Sequence, residues 1–135
     1  MLIVAIEMQE YIVYWGAIPT DAATFDVFKR MAKANVSQYI DVNTSDTSLY
    51  FRYGEGETFI VKKDDKGSRM CNTGHQAYTR DVMKCLIIMV ELGMAKGIGV
   101  DDTNVEFLQE LETLNTKFGL KTYAQQKKYF EENEG

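Results

Sequence analysis

The chain is poor in the residues that carry most catalytic chemistry. It has one histidine (His75), two cysteines (Cys71 and Cys85) and one proline (Pro19) in 135 residues. A lone imidazole excludes a two-histidine metal motif, a Cys2His2 site and a Ser-His-Asp set with an alternative base. Two thiols form one bridge at most, and Cys85 falls inside an apolar helix, so both are expected reduced. The glycines do not build a phosphate loop. GEGET at 54–58 and KGIGV at 96–100 lack the Lys-Ser/Thr that would follow, and neither completes a dinucleotide fingerprint. DVNTSD at 41–46 gathers Asp41, Asn43 and Asp46, but has no glycine at a sixth and no glutamate at a twelfth loop position. It reads as a polar turn. From this inventory we expect no metal, no cofactor and no catalytic residue.

Long apolar runs are also missing. Spanning a bilayer takes about 20 apolar residues, and the longest apolar stretches here are interrupted by charge. The opening MLIVAI lacks a basic flank and a small-residue cleavage site, and Glu7 and Glu10 follow it closely. It is expected to be strand, in a cytoplasmic protein without membrane contact. There are no repeats, and one proline leaves little room for linkers, so residues 1–135 are expected to form a single domain.

Basic charge is scarce where it would matter for nucleic acid. The net charge is −5, and residues 101–135 hold eight acidic against four basic side chains, while residues 1–100 are nearly balanced. Direct nucleic-acid binding through a broad basic face is therefore not expected. The segment His75-Gln76-Ala77-Tyr78 also lacks the lysine cluster that would reach phosphates across a groove.

What the chain does have is DVMKCLIIMVELGM, Asp81 to Met94, apolar on nearly every side of a helix. Such a helix is buried, and the rest of the chain should wrap it. Residues 2–15 are rich in β-branched and aromatic side chains and predict a strand or hairpin ended by Gly16 and Pro19. Thr20 is the expected N-cap of an amphipathic helix over 21–35, with Phe25, Phe28, Met31 and Ala32 on its apolar side. Strand signals at 38–42, 48–53 and 57–63, separated by NTSDT and GEG, predict an antiparallel meander, with a fourth short strand at 68–71. GIGV at 97–100 breaks the helical pattern. Val105, Leu108, Leu111 and Leu114 then suggest an apolar stripe on an acidic helix closed by Gly119, and Thr122 suggests the cap of a last helix. The order is β-α-β-β-β-(β)-α-α-α: an α+β fold, with a small antiparallel sheet on a buried central helix and acidic C-terminal helices.

Two places could carry function. At the entry to the central helix, free backbone N–H groups favour an anion, and Arg69, Asn72, Thr73, His75 and Arg80 could surround it. A thiol at Cys71, four residues from His75, could there have a lowered pKa. Elsewhere, alternation puts Tyr50 and Arg52 on one face of a strand, a pairing enriched at protein interfaces. Asp101, Asp102, Glu106, Glu110 and Glu112 could add an acidic surface. The leading expectation is a small non-catalytic protein-binding module, an inhibitor or regulator that occupies a partner's surface, with a basic, nucleic-acid-binding site as one candidate surface. The alternative is a domain that binds or transforms a phosphorylated or other anionic ligand at the helix entry.

Overall fold

The computed structural model describes residues 9–133. The elements are β1 (Ile12–Ala17), α1 (Ala22–Asn35), β2 (Asn43–Thr44), β3 (Ser48–Phe51), β4 (Phe59–Lys62), β5 (Gly67–Asn72), α2 (Thr79–Glu91), β6 (Ala95–Val100), α3 (Val105–Phe118) and α4 (Tyr123–Glu132). The fold is α+β, as expected. The strands form two three-stranded antiparallel sheets, β5-β1-β6 and β2-β3-β4, where one was expected.

The split has a simple cause. β5, expected to extend the meander, pairs instead with β1, from Ile12 opposite Asn72 to Ala17 opposite Gly67. β6, expected as a mere break, covers the other side of β1. The two sheets meet in one core, where Trp15 of β1 packs on Phe59 of β4 at 5.3 Å between ring centres.

α2 is the buried helix, with Val82, Met83 and Cys85 through Ile88 at 0% exposure and Met89 at 1%. It ends in a tight reversal. Gly93 takes φ 75°, Met94 N–H donates to Met89 C=O, and Gly93 N–H donates to Val90 C=O. These two bonds satisfy the last carbonyls and turn the chain straight into β6. α1 and α3 flank α2. α1 is locked to it by Asp81, which is 1% exposed and accepts from both the backbone N–H and the hydroxyl of Ser37.

Several boundaries differ from the sequence reading. Residues 2–8 of the expected first strand lie outside the described residues, and β1 runs through Gly16 to Ala17. Asp21, not Thr20, caps α1: its carboxylate accepts from Thr24 N–H at 2.7 Å. Residues 38–42 are turn and coil, with only Asn43–Thr44 pairing to β3. On α3 the inward residues are Phe107, Glu110, Leu111 and Leu114, and Val105 is 48% exposed. Spacing of three and four from Phe107, rather than three throughout from Val105, is what keeps one face inward over three turns. Gly119 closes α3 in the left-handed conformation expected of it. α4 docks through Phe130, stacked on Phe107 at 4.8 Å, and through Gln126.

Candidate functional site

The loop from β5 into α2 is held by its own polar side chains. Asn72 Oδ1 accepts from Tyr11 and Gly74 N–H groups, and the Thr73 hydroxyl donates to Tyr11 C=O. The Thr79 hydroxyl donates in turn to Thr73 Oγ1 at 2.7 Å. Asn72 and Thr73 are thus internal brackets of the loop. The cap position of α2 is Tyr78, with no side-chain cap bond. Gly74 and His75 both take left-handed φ, 61° and 57°. For a histidine that conformation is strained, and the surrounding contacts must hold it. They do so by stacking its ring on Tyr11 at 4.3 Å and bringing Nε2 to 3.2 Å from Glu106 Oε1. Burial first, then Glu106, Asp102 and Asp101, push the Tyr11 hydroxyl up to about 12.

The three basic side chains singled out in the sequence each have another partner. Arg69 reaches Asp65 at 3.3 Å and Ser68 C=O at 2.9 Å. Arg80 donates to Glu110 Oε1 at 2.8 Å and Gln109 Oε1 at 2.9 Å, and His75 meets Glu106. The structure does not bring them together around one point. Cys71 faces the core beside Tyr78, and desolvation pushes its thiol up to about 11, the reverse of the shift considered from its spacing to His75. Burial raises the Cys85 thiol too. Neither is bonded to the other. Both thiols should therefore resist iodoacetamide at pH 8 in the native chain and react on unfolding in urea, as read by intact mass. Rapid native labelling of Cys71 would contradict its burial.

The second sheet presents the other candidate. Leu49, Phe51, Phe59 and Val61 point inward, so Tyr50 on β3 and its cross-strand partner Ile60 on β4 point outward, 41% and 39% exposed. Arg52 follows on the exposed side, donating to Gly54 C=O. Tyr39 and Tyr53, also exposed, pack on each other at 4.9 Å. Ile60, Tyr39 and Tyr53 were missed in the sequence, although alternation about Phe59 and Val61 marks Ile60 as outward.

The acidic residues are less free than their spacing suggested. Asp101 Oδ1 accepts from Ile12 N–H, and Asp102 Oδ1 from Thr103 N–H. Glu106 holds His75. Glu110 is 7% exposed, paired to Arg80 and 4.0 Å from Lys84 Nζ, which corrects its expected place on an open surface. Glu112 accepts from the Tyr123 hydroxyl and lies 4.0 Å from Lys127.

A pocket of about 180 Å³ opens between β6 and α4, with Val90, Ala95, Ile98, Gln126 and Tyr129 among its walls. Gln126 Oε1 is buried without a hydrogen-bond partner. An unpaired buried acceptor costs about 1–3 kcal/mol. Among the described residues, no group of three His, Cys, Asp or Glu side chains is placed to hold a metal ion, and no helix is long and apolar enough to cross a membrane. No protein-family model, curated protein or solved structure matches the chain at a significant level.

Proposed function

We propose that the chain is a non-catalytic binding protein, an inhibitor or regulator that acts by covering a partner's surface, with the outward face of the second sheet as its contact patch. The observation that carries this reading is the exposure of the cross-strand neighbours Tyr50 and Ile60 on the outward face, with exposed Arg52 just after β3. Interfaces concentrate their binding energy in aromatic and arginine side chains, which offer large contact area at small entropic cost. The net charge of −5 favours a partner with a basic surface. Asp101, Asp102 and Glu112 are the exposed carboxylates of the acidic set left to meet it, since Glu106 and Glu110 hold His75 and Arg80. Two unpaired, buried thiols suit a reducing cytoplasm.

The test uses the whole chain as bait in native lysate, compared with a variant carrying Tyr50→Thr and Ile60→Thr. Threonine keeps the β-branching a strand prefers while removing the large apolar surface. A specific partner should be recovered by the native chain and fall about tenfold or more with the variant, with the same melting profile for both chains. Equal recovery, or no specific partner with the native chain, would overturn the reading.

A further inference from the structure

One face of the first sheet stays outside the core. Val13, Trp15 and Ala17 of β1 are buried, so Tyr14 and Gly16 point outward, with Met70 and Ser68 of β5 beside them in register. Met70 is 69% exposed, the most of any large apolar side chain among the described residues. On the other side of β1, Tyr14 pairs with Gly99 and Gly16 with Lys96, so β6 carries one extra residue, a bulge in which Gly97 takes φ 57°. A Cβ on Gly16 would lie 3.3 Å from Lys96 Cγ, so the bare backbone of Gly16 lets the Lys96 side chain lie over β1. The cleft on this face is bounded by Tyr14, Arg69 and Met70 at one end and by Lys66, Ser68 and Lys96 at the other. Among the described residues, no carboxylate lines it, and neither Lys66 nor Lys96 forms an ion pair.

β5 is also an edge strand, and its neighbours show which backbone groups it leaves open. Thr73 N–H donates to Tyr11 C=O, so in the alternating antiparallel ladder Cys71, Arg69 and Gly67 turn toward β1 while Asn72, Met70 and Ser68 turn away. Asn72 already has a partner on that outer side. Its C=O accepts from Glu57 N–H at 2.9 Å, and its N–H donates to Glu57 Oε1 at 2.7 Å. Glu57 thus holds, for one residue, the place of a fourth strand, through a backbone bond and a carboxylate. Further along the same edge the Ser68 C=O accepts only from Arg69 Nη1, and Met70 N–H and C=O have no partner among the described residues. Lys66 through Met70 are all exposed.

We propose that β5 accepts an extended acidic segment of another protein as a fourth strand, bonded to the open backbone groups of Ser68 and Met70. Its carboxylates would meet Lys66 and Lys96, and an apolar side chain would cover Met70 and Tyr14. Strand addition takes its affinity from main-chain bonds and its specificity from alternate side chains. The charge decides between occupants. Pairing β5 with a second copy about a two-fold axis would set Arg69 beside its own counterpart, and like charges on an edge are a device against such pairing. The same charges attract a segment of opposite sign, as Glu57 already shows at Asn72.

The inference is independent of the second-sheet interface and has its own test. The probe is a short fluorescein-labelled peptide alternating glutamate and valine, blocked at both ends and followed by anisotropy with the whole chain. It should bind saturably, and its counterpart with glutamine for glutamate should bind about tenfold more weakly. The acidic peptide with every amide N-methylated keeps its charges but cannot donate to a strand, and should also lose about tenfold or more. Oligothymidylate, a polyanion without peptide groups, should not compete. Lys66→Glu with Lys96→Glu, both exposed positions, should abolish binding with the melting profile unchanged. Met70→Pro, which removes an N–H that faces away from β1, should weaken it. The Tyr50→Thr, Ile60→Thr chain should bind the peptide as the native chain does. Absence of saturable binding, or equal affinity for the glutamine or N-methylated peptide, would overturn the proposal. So would competition by oligothymidylate as strong as by unlabelled peptide, or binding undiminished in the double-lysine or Met70 variant.

Discussion

Leu86→Ala is expected to lower the free energy of unfolding by about 2–5 kcal/mol, the range for deleting a large apolar side chain from a core. Leu86 is fully buried on α2, the helix against which α1, α3 and β6 pack. The cost depends on how far the surroundings collapse into the space left behind. Collapse is restricted here, because Asp81 ties α2 to Ser37 and Lys84 Nζ donates to Asn35 C=O at 3.2 Å, pinning the end of α1. Met89→Ala, at 1% exposure, belongs to the same range. Leu86→Met, which keeps the volume, should cost less than about 1.5 kcal/mol. Urea denaturation with an unchanged m-value would measure all three. A loss below about 0.5 kcal/mol for Leu86→Ala, the level of a surface change, would remove α2 from the centre of the fold.

α2 was legible because its signal is local: thirteen residues with apolar side chains on almost every side allow only burial. β6 was not, because Ala95-Lys96-Gly97-Ile98-Gly99-Val100 contains the residues that strands use least. Its glycines answer to distant neighbours. A Cβ at Gly99 would collide with the Tyr14 ring, and Gly97 supplies the bulge. The pairing of β1 with β5 joins residues some fifty to sixty positions apart, beyond the reach of any periodicity. The candidate sites divide in the same way. Alternation alone turned Tyr50 outward. The partners of His75 and Arg80, by contrast, lie 31 and 30 residues away on α3, and only the packing of α2 on α3 brings them together. A cation in a sequence looks free until the fold supplies its anion.

That pairing makes Glu110 the most damaging position of the acidic C-terminal set for charge reversal. Glu110→Lys is expected to cost about 1–3 kcal/mol, within the upper range of ordinary point mutants, because Glu110 is buried while its partner Arg80 is 37% exposed and keeps access to water. The Glu110 side chain is 10% exposed; it binds Arg80 Nε at 2.8 Å and lies near Lys84 Nζ, so a lysine would bury a third cation between two others. Glu110→Gln keeps shape and an acceptor and should cost less. Glu112→Lys should cost under about 1 kcal/mol, since that side chain is 54% exposed and its contact with Lys127 is long. Equilibrium denaturation of the three variants tests the ranking, and a Glu110→Lys variant within about 0.5 kcal/mol of the native chain would show that the bridge between α2 and α3 contributes little. The ranking bears on any map of the acidic surface. Reversing Glu106, Glu110 and Glu112 together would lose binding by loosening α3, whatever the partner touches. Reversal at Asp102 and Glu112 alone leaves the bridge intact, so a loss of binding there, with the melting profile unchanged, reports the surface itself.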